Sequence, residues 1–269
     1  MGGNSGNSVY ESAGAALAPV ESSAGVVIRT SNLSRRFGRV EAVRNVSLEV
    51  PGGCVCGLLG LNGSGKTTLI RLLLGHLRPS AGQVRLLGRS YQQDEPGIRE
   101  RVGYVADARY LYEWMTVSET LDFTRAFHRT WDDAKVRSLI DRLGLPLDRK
   151  VAELSRGHRA RLCLTLALAY NPELIILDEL TAGLDPVVRR EVLKNVIEEI
   201  GREGRTVLFS SHSVEEVERL ADQVAIMHCG EVVVHASIDD LKQSQPAPMT
   251  LEEIFFKLVG SADGGRERR

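Results

Sequence analysis

The sequence predicts an α/β fold with a mostly parallel core sheet and a helical insertion. Two short apolar runs, CVCGLLG (54–60) and ELIILDEL (173–180), have the length and composition of strands that are buried on both faces. The segment from about 92 to 160 instead alternates apolar and charged residues at helical spacing, as in DDAKVRSLIDRLGL (132–145). Strands that alternate with helices favour parallel pairing, and the long helical segment between the two runs indicates an insertion.

The order of the elements follows from the apolar runs and the turn residues between them. Two strands are predicted near the start, at 26–33 and 40–50, ahead of the strand at 54–60. A helix is predicted from Gly65 to Leu74, because Gly75 is a typical helix stop. The second half adds the strand at 173–180, a long helix at about 186–201, and strands at TVLFSSH (206–212), QVAIMHCG (223–230) and EVVVHAS (231–237).

Composition limits the classes of function and partner. The 269 residues carry a formal net charge of -1, so the whole chain has no field that would favour nucleic acid or an anionic membrane surface. No apolar run reaches the roughly 18 residues that a membrane span needs, and no signal peptide is recognised, so we expect a cytoplasmic protein. We expect a disordered leader at 1–24, one folded domain at 25–260 and a disordered tail at 261–269. We interpret the four cysteines as small core residues in a reducing compartment: Cys54, Cys56, Cys163 and Cys229.

The loop after the first apolar run has the pattern of a phosphate-binding loop. The residues GLNGSGKT match G-x-x-x-x-G-K-[ST] at every fixed position, between a predicted strand and a predicted helix. Glycines let backbone N–H groups surround phosphate oxygens, Lys66 adds a positive charge, and the Thr67 hydroxyl can ligate Mg²⁺. The sequence therefore predicts a nucleoside triphosphate site. The predicted contacts are Gly60, Leu61, Asn62, Gly63, Ser64, Gly65, Lys66, Thr67 and Thr68.

A pair of carboxylates ends the second apolar run. Adjacent residues point to opposite sides of a strand, so Asp178 can reach Mg²⁺ while Glu179 faces another part of the pocket, where an attacking water would sit. The alternative is a helix N-cap with acids near the helix dipole. Together with the phosphate loop, the pair is interpreted as metal ligand and general base.

The region 153–186 adds motifs that resemble one family. Residues LSRGH (154–158) resemble the signature motif LSGGQ, and AGLDP (182–186) resembles the D-loop that follows it. Ser211 and His212 resemble the switch-histidine motif, and Phe37 matches the aromatic residue that stacks on adenine. Over about 26–259 the chain is therefore similar to the nucleotide-binding domain of ATP-binding cassette (ABC) transporters, and most similar to the ATPases of ABC-2-type exporters.

The resemblance implies both a fold and a set of roles. The fold is a P-loop NTPase of the ABC ATPase type, with an N-terminal antiparallel β subdomain and a helical subdomain. Two such domains bind head to tail with two ATP molecules between them, each held by the phosphate loop of one and the signature motif of the other. Ser155 and Gly157 would reach the γ-phosphate across the interface, Glu179 would act as base, and His212 would hold the γ-phosphate. Asp185 would couple the two sites.

The resemblance also implies partners. The pore would be an integral membrane permease made as a separate polypeptide, which would place this chain at the inner face of the cell membrane. A second ABC ATPase subunit would complete the sandwich. A homodimer is favoured because this chain has both a phosphate loop and a signature motif, and a heterodimer stays open. The ending TLEEIFFKLVG (250–260) resembles the short helical ending of exporter ATPases.

Several positions depart from the family pattern. Asp107 stands where the Q-loop has Gln, and it is expected to contact Mg²⁺ or water. Arg156 and His158 replace Gly and Gln of the signature; Arg156 either brings positive charge towards ATP or is a solvated residue at a helix start. Leu180 replaces a common Pro. Because Lys66 and the other catalytic residues are intact, we expect an active ATPase.

Two further interpretations stay open. The aromatic residues of RYLYEW (109–114) either line a groove for the permease or form the core of the helical insertion. The function is transport or, alternatively, that of a soluble ABC ATPase such as an iron–sulfur assembly subunit. A member that binds ATP without hydrolysing it is disfavoured by Glu179.

Overall fold

The computed structural model describes residues 25–106, 111–179, 197 and 204–264. The strands are β1 (Val26–Phe37), β2 (Val40–Pro51), β3 (Val55–Leu59), β4 (Ala81–Leu86), β5 (Val102–Val105), β6 (Leu174–Asp178), β7 (Thr206–Ser211), β8 (Gln223–His228) and β9 (Glu231–Ser237). The described helices are α1 (Lys66–Leu73), α2 (Tyr91–Arg101), α3 (Val117–Arg125), α4 (Asp133–Leu143), α5 (Arg156–Leu168), α6 (Val214–Leu220), α7 (Ile238–Gln243) and α8 (Leu251–Gly264).

The described strands form two sheets. A three-stranded antiparallel sheet has the order β2-β1-β4, and a six-stranded sheet has the order β5-β6-β7-β3-β8-β9. The larger sheet is parallel except for β9, which pairs antiparallel with β8. This architecture confirms the expected α/β fold with a mostly parallel core sheet and an N-terminal antiparallel sheet.

The middle of the larger sheet is covered on both faces. Every residue of β3, β6, β7 and β8 is buried, as the apolar runs predict for parallel strands that lie between two layers. Along β6, Ile175 and Leu177 pack into one apolar cluster, whereas Leu174 and Ile176 pack into another on the opposite face. The sheet is therefore packed between two apolar cores, which hold the ends of its central strands in place.

A third apolar cluster organises the helical part of the chain. It contains Val117 of α3, Val136 of α4 and Leu162 of α5. These helices begin at side chains that accept a hydrogen bond from the first turn: Thr116, Asp132 and Ser155. The segment expected to be helical also contains β5, which pairs with β6 at the edge of the core sheet. Neither β5 nor β4 was predicted, because β5 has four residues and the exposed β4 lacks an apolar alternation.

Some boundaries differ from the expected ones. Strand β1 continues to Phe37, four residues beyond the predicted end, and α1 begins at Lys66 with Gly65 as its cap.

All four cysteines are free thiols, and burial raises the pKa of Cys54 to about 11. Among the described helices, none is both long and apolar enough to cross a membrane.

Candidate nucleotide site

Three parallel strands end side by side and collect the predicted catalytic residues at one edge of the sheet. Leu59 at the end of β3 pairs with Ser211 of β7, and Asp178 at the end of β6 pairs with Ser210. Ligands of parallel sheets bind at this carboxyl edge. The residues that follow the three strands there are Gly60, Glu179 and His212.

Close backbone contacts hold the phosphate loop. A Cβ atom at Gly60 would overlap with the carbonyl oxygen of Met227, and one at Gly65 would overlap with that of Ala42. Gly65 also has φ +107°, a conformation that residues with a side chain rarely adopt. The glycines therefore let the loop lie directly against β2 and β8.

The start of α1 has the properties of an anion site. The first turn of the helix has no side-chain cap and no acidic residue. The N–H groups of a first helical turn have no intrahelical acceptor, and the helix dipole favours negative charge there. The Ser64 hydroxyl is buried with no hydrogen-bond partner among the described residues. A triphosphate supplies the acceptors that these donors lack, so the loop fits the predicted ligand.

Lys66 bridges the phosphate loop and the carboxylate pair. Its Nζ donates hydrogen bonds to Gly60 O at 2.8 Å and Leu61 O at 3.1 Å, and it lies 3.6 Å from Glu179 Oε1. Its side chain is only 4% exposed. Burial lowers the pKa of Lys66, and the nearby Glu179 carboxylate opposes that shift. The ammonium group is thus fixed where the phosphates would lie.

Asp178 and Thr67 form the oxygen pair expected of a magnesium site. The Thr67 hydroxyl lies 3.4 Å from Asp178 Oδ1, and Ser210 Oγ donates a hydrogen bond to the same oxygen at 2.9 Å. Burial raises the pKa of Asp178, and the charge of Glu179 adds to the shift. Hydroxyl and carboxylate oxygens are the donors that Mg²⁺ prefers, and a cation would offset the burial of the charge, so these residues fit the metal.

Glu179 stands directly after the strand in a left-handed backbone conformation, with φ +48°. Its N–H donates to Ser210 Oγ at 2.9 Å, so one hydroxyl holds both Asp178 and Glu179. Ser210 was not predicted as a site residue. The one feature of the sequence that points to it is the polar pair Ser210-Ser211 at the end of an apolar strand. The alternative of a helix N-cap at this pair falls on residues 180–196, which lie outside the described residues.

His212 is exposed in the turn between β7 and α6. The turn is fixed by Ser211, whose hydroxyl donates to Glu216 Oε2 at 2.6 Å and accepts from Ser213 N at 3.0 Å. Since β7 lies between β3 and β6, His212 is placed beside both the phosphate loop and Glu179. The edge of the sheet thus brings together the residues predicted to bind phosphate and Mg²⁺, with Glu179 and His212 beside them.

Phe37 lies at the end of the β1–β2 hairpin, where it pairs with Val40. The backbone of Ala42, two residues further along β2, packs against Gly65 of the phosphate loop. The Phe37 ring is 44% exposed. The hairpin that carries the exposed Phe37 therefore contacts the phosphate loop through Ala42.

The signature segment belongs to the helical part of the chain. Ser155 caps α5, and its Oγ accepts a hydrogen bond from His158 N at 3.2 Å and lies 2.9 Å from His158 Nδ1. Ser155 and Arg156 are both exposed, and Gly157 is half-buried. Two predicted site residues, Asp107 and Asp185, lie outside the described residues, as does Leu180.

The parallel sheet and its phosphate loop define a P-loop nucleotide-binding protein. Comparison with known families refines that class: residues 43–182 match the family model described as ABC transporter. The chain belongs to the ABC transporter family, and within it this chain is an ATP-binding, ATP-hydrolysing protein.

Several relatives share most of their length with the chain. The ABC transporter ATP-binding protein NatA of Bacillus subtilis is 35% identical over 244 residues, which is 87% of this chain and 98% of that protein. The bacitracin transport ATP-binding protein BcrA of Bacillus licheniformis is 33% identical over 220 residues, 81% of this chain and 72% of that protein. A solved ATP-binding subunit of an ABC transporter superposes with a TM-score of 0.77 at 26% identity, over 86% of this chain and 99% of that one.

Proposed function

We propose that this chain powers transport of a substrate across a membrane by closing as a dimer around ATP. The observation that carries the proposal is the contrast within one chain: the phosphate half of the site is assembled at the sheet edge, whereas Ser155 is exposed on the helical part. An exposed signature segment is available to the phosphate loop of a second chain. ATP would then be bound by residues from both chains, so its hydrolysis would open the dimer.

Each residue at the sheet edge has a role in this proposal. Lys66 binds the β and γ phosphates, and Glu179 accepts a proton from the attacking water. His212 orients the γ-phosphate beside that water. Thr67 and Asp178 would hold Mg²⁺, which supplies positive charge that neutralises the phosphates. Phe37 stacks on the adenine ring.

The ion pair between Lys66 and Glu179 suggests how binding and catalysis are linked. Lys66 Nζ lies 3.6 Å from the carboxylate of the proposed base. A triphosphate offers Lys66 a higher negative charge than one carboxylate does, so the ammonium group pairs with the phosphates in place of Glu179. The Glu179 carboxylate is then released to contact water, and the base acts only when nucleotide is present.

The second chain completes the site. Ser155 Oγ and the Gly157 N–H donate to the γ-phosphate of the partner's ATP, and Arg156 adds positive charge from the same exposed helix start. Asp185 couples the two sites across the interface, and Asp107 contacts the metal or water near the phosphates. A homodimer is the simplest assembly, since one chain has both halves of the site.

An aromatic surface on the helical part is proposed as the contact with an integral membrane permease. Four exposed aromatic side chains form a connected row: Tyr112 contacts both Trp114 and Phe123, and Phe123 contacts Phe127, with ring centroids 5.1–5.9 Å apart. For Tyr112 and Trp114 this exposure contradicts the interpretation of RYLYEW as core, whereas Tyr110 lies outside the described residues. A connected aromatic patch of this kind marks a protein interface. Docking there would hold the chain at the inner face of the membrane.

The likeness to a bacitracin transport protein and the C-terminal helix α8 support export as the direction of transport. Helix α8 covers the ending that resembles exporter ATPases and packs through Phe255 and Val259 against the core. The transported substrate would contact the permease rather than this chain. Its identity would therefore be determined by the binding site of the permease.

Photo-crosslinking tests the proposed contact. A benzoylphenylalanine at Trp114, which is 66% exposed, is expected to capture an integral membrane protein with several spans in the native host. The control is the same probe at Phe256, which is 61% exposed but lies on α8. Capture of a soluble scaffold protein at Trp114 would contradict the transport function and favour iron–sulfur assembly. Equal capture from both positions would show that the aromatic surface is not the docking site.

A further inference from the structure

We propose that Arg35 is a positioning residue that fixes the Phe37 ring for stacking on the purine base, and that the base stacks on the ring face opposite Arg35. The inference rests on the proposed role of Phe37. Arg35 and Phe37 are two residues apart at the end of β1, where the register with β2 shifts between Arg35 and Arg36. The guanidinium carbon of Arg35 lies over the ring, 4.6 Å from its centroid.

The guanidinium group is itself held in place. Its Nη1 donates to Arg78 O at 2.8 Å, in the segment that follows α1. The same segment is bound to β1 by two more hydrogen bonds, from Ser80 N to Ser34 O at 2.8 Å and from Arg36 N to Ser80 Oγ at 3.1 Å. Arg35 therefore connects the Phe37 ring to the chain leaving the helix that carries the phosphate loop at its other end.

One atom of Arg35 is in an unfavourable state. Its Nε is buried and has no hydrogen-bond partner among the described residues. A buried donor without an acceptor lowers the stability of a protein. Arg35 nevertheless adopts the conformation that places its guanidinium group over the Phe37 ring. The cation–π contact compensates part of that loss. The geometry therefore favours a function for the contact with Phe37.

The arrangement has a direct consequence for nucleotide binding. A phenyl ring has two faces, and the guanidinium group covers one, so the base can stack only on the other. An exposed phenylalanine that rotates freely would lose conformational entropy when it stacks. A ring held by Arg35 loses less, so the affinity for the base rises through preorganisation. The triphosphate is bound by the phosphate loop and is not affected by this contact.

Calorimetric titration with Mg-ATP and with inorganic tripolyphosphate separates the two parts of the site. Arg35→Met is expected to raise the Kd for ATP by about two- to fivefold, the range of a cation–π contact, and to leave the Kd for tripolyphosphate unchanged. Arg35→Lys keeps the charge and is expected to restore part of the affinity for ATP. The matched control is Arg36→Met, because Arg36 is paired with Glu41 at 3.6 Å rather than with Phe37.

A double-mutant cycle distinguishes positioning from general stability. In a Phe37→Ala background, Arg35→Met is expected to have no further effect on ATP affinity, because Arg35 acts through the ring. An equal loss of affinity in that background, or parallel losses for ATP and tripolyphosphate, would overturn the inference. Equal affinities of the wild-type protein for ATP and tripolyphosphate would show that the base does not contribute to binding. That result would overturn the inference about Arg35 but not the proposed phosphate site. Failure of wild-type protein to bind either ligand would overturn the proposed function as well.

Discussion

The phosphate loop and the signature segment differ in how completely this chain builds them. Lys66 is almost fully buried, donates two hydrogen bonds to loop carbonyls and faces Glu179. Ser155 is exposed, and the described hydrogen bonds of its side chain are with His158 on the helix that it caps. One region is supported by strands packed on both faces, and the other by a helical cluster at the surface.

This difference is the one that the proposed two-chain site requires. Groups that bind phosphate and metal need preorganised surroundings, which the carboxyl edge of a buried sheet provides. In the proposed dimer, a group that contacts ATP only after closure must be accessible beforehand, and Ser155 lies at an exposed helix start. The contrast predicts which variants impair binding and which impair only turnover.

The largest effect is expected from Glu179→Gln. Removal of the general base lowers the turnover rate by about 10²–10⁴-fold, the usual range for acid–base catalysis, while Mg-ATP affinity stays close to that of the wild type. Phosphate release and calorimetry measure the two quantities. Lys66→Met is the control that loses both, because its ammonium group is part of the binding site. Turnover by Glu179→Gln near the wild-type rate would remove Glu179 as the base.

A smaller effect is expected from Ser155→Ala. Loss of a hydrogen bond to a charged phosphate, worth about 1.5–3 kcal/mol, lowers turnover by roughly tenfold or more, and the affinity of a single chain for ATP is unchanged. The variant also loses a helix cap, which lowers the free energy of unfolding by about 1 kcal/mol.

The matched control for that loss of stability is Ser237→Ala, since Ser237 caps α7 by accepting from Asp240 N at 3.0 Å. The control is expected to lose similar stability and keep its turnover. If both variants lose turnover to the same extent, the effect of Ser155 comes from stability and the two-chain site is not supported.

The smallest effect concerns pH. Because burial raises the pKa of Asp178, the folded chain binds a proton at pH values where the unfolded chain has released it. The stability of ligand-free protein should therefore fall as pH rises from the ordinary carboxyl pKa through the raised one. Asp178→Asn should reduce this dependence in thermal unfolding, since its amide does not titrate. An unchanged pH profile would show that Asp178 is not the group responsible.

The parts of the site that the sequence could predict are contiguous or follow an apolar strand. The phosphate loop is one motif, and Asp178 and Glu179 end a recognisable buried run. Ser210 could not be predicted as their joint partner, because its role depends on the pairing register between β6 and β7. The contact of Arg35 with Phe37 depends similarly on a side-chain conformation set by Arg78, 43 residues away.

The expectations for the helical segment failed where tertiary pairing outweighs local pattern. Strand β5 has only four residues and becomes a strand because β6 offers it a parallel edge. The exposure of Trp114 is likewise a property of the packed helices, since an aromatic residue within a helical pattern is more often buried. In this segment, packing determines both the short strand β5 and the exposure of the aromatic side chains.

The mass of Glu179→Gln in solution, with and without Mg-ATP, tests the central claim that two chains share each ATP. The variant should be a monomer without nucleotide and a dimer with Mg-ATP, because the base is lost while both halves of the site remain. The Glu179→Gln, Ser155→Ala double variant should bind ATP and dimerise more weakly. A Glu179→Gln variant that binds Mg-ATP and stays monomeric, or that dimerises equally without nucleotide, would contradict closure of two copies of this chain around ATP.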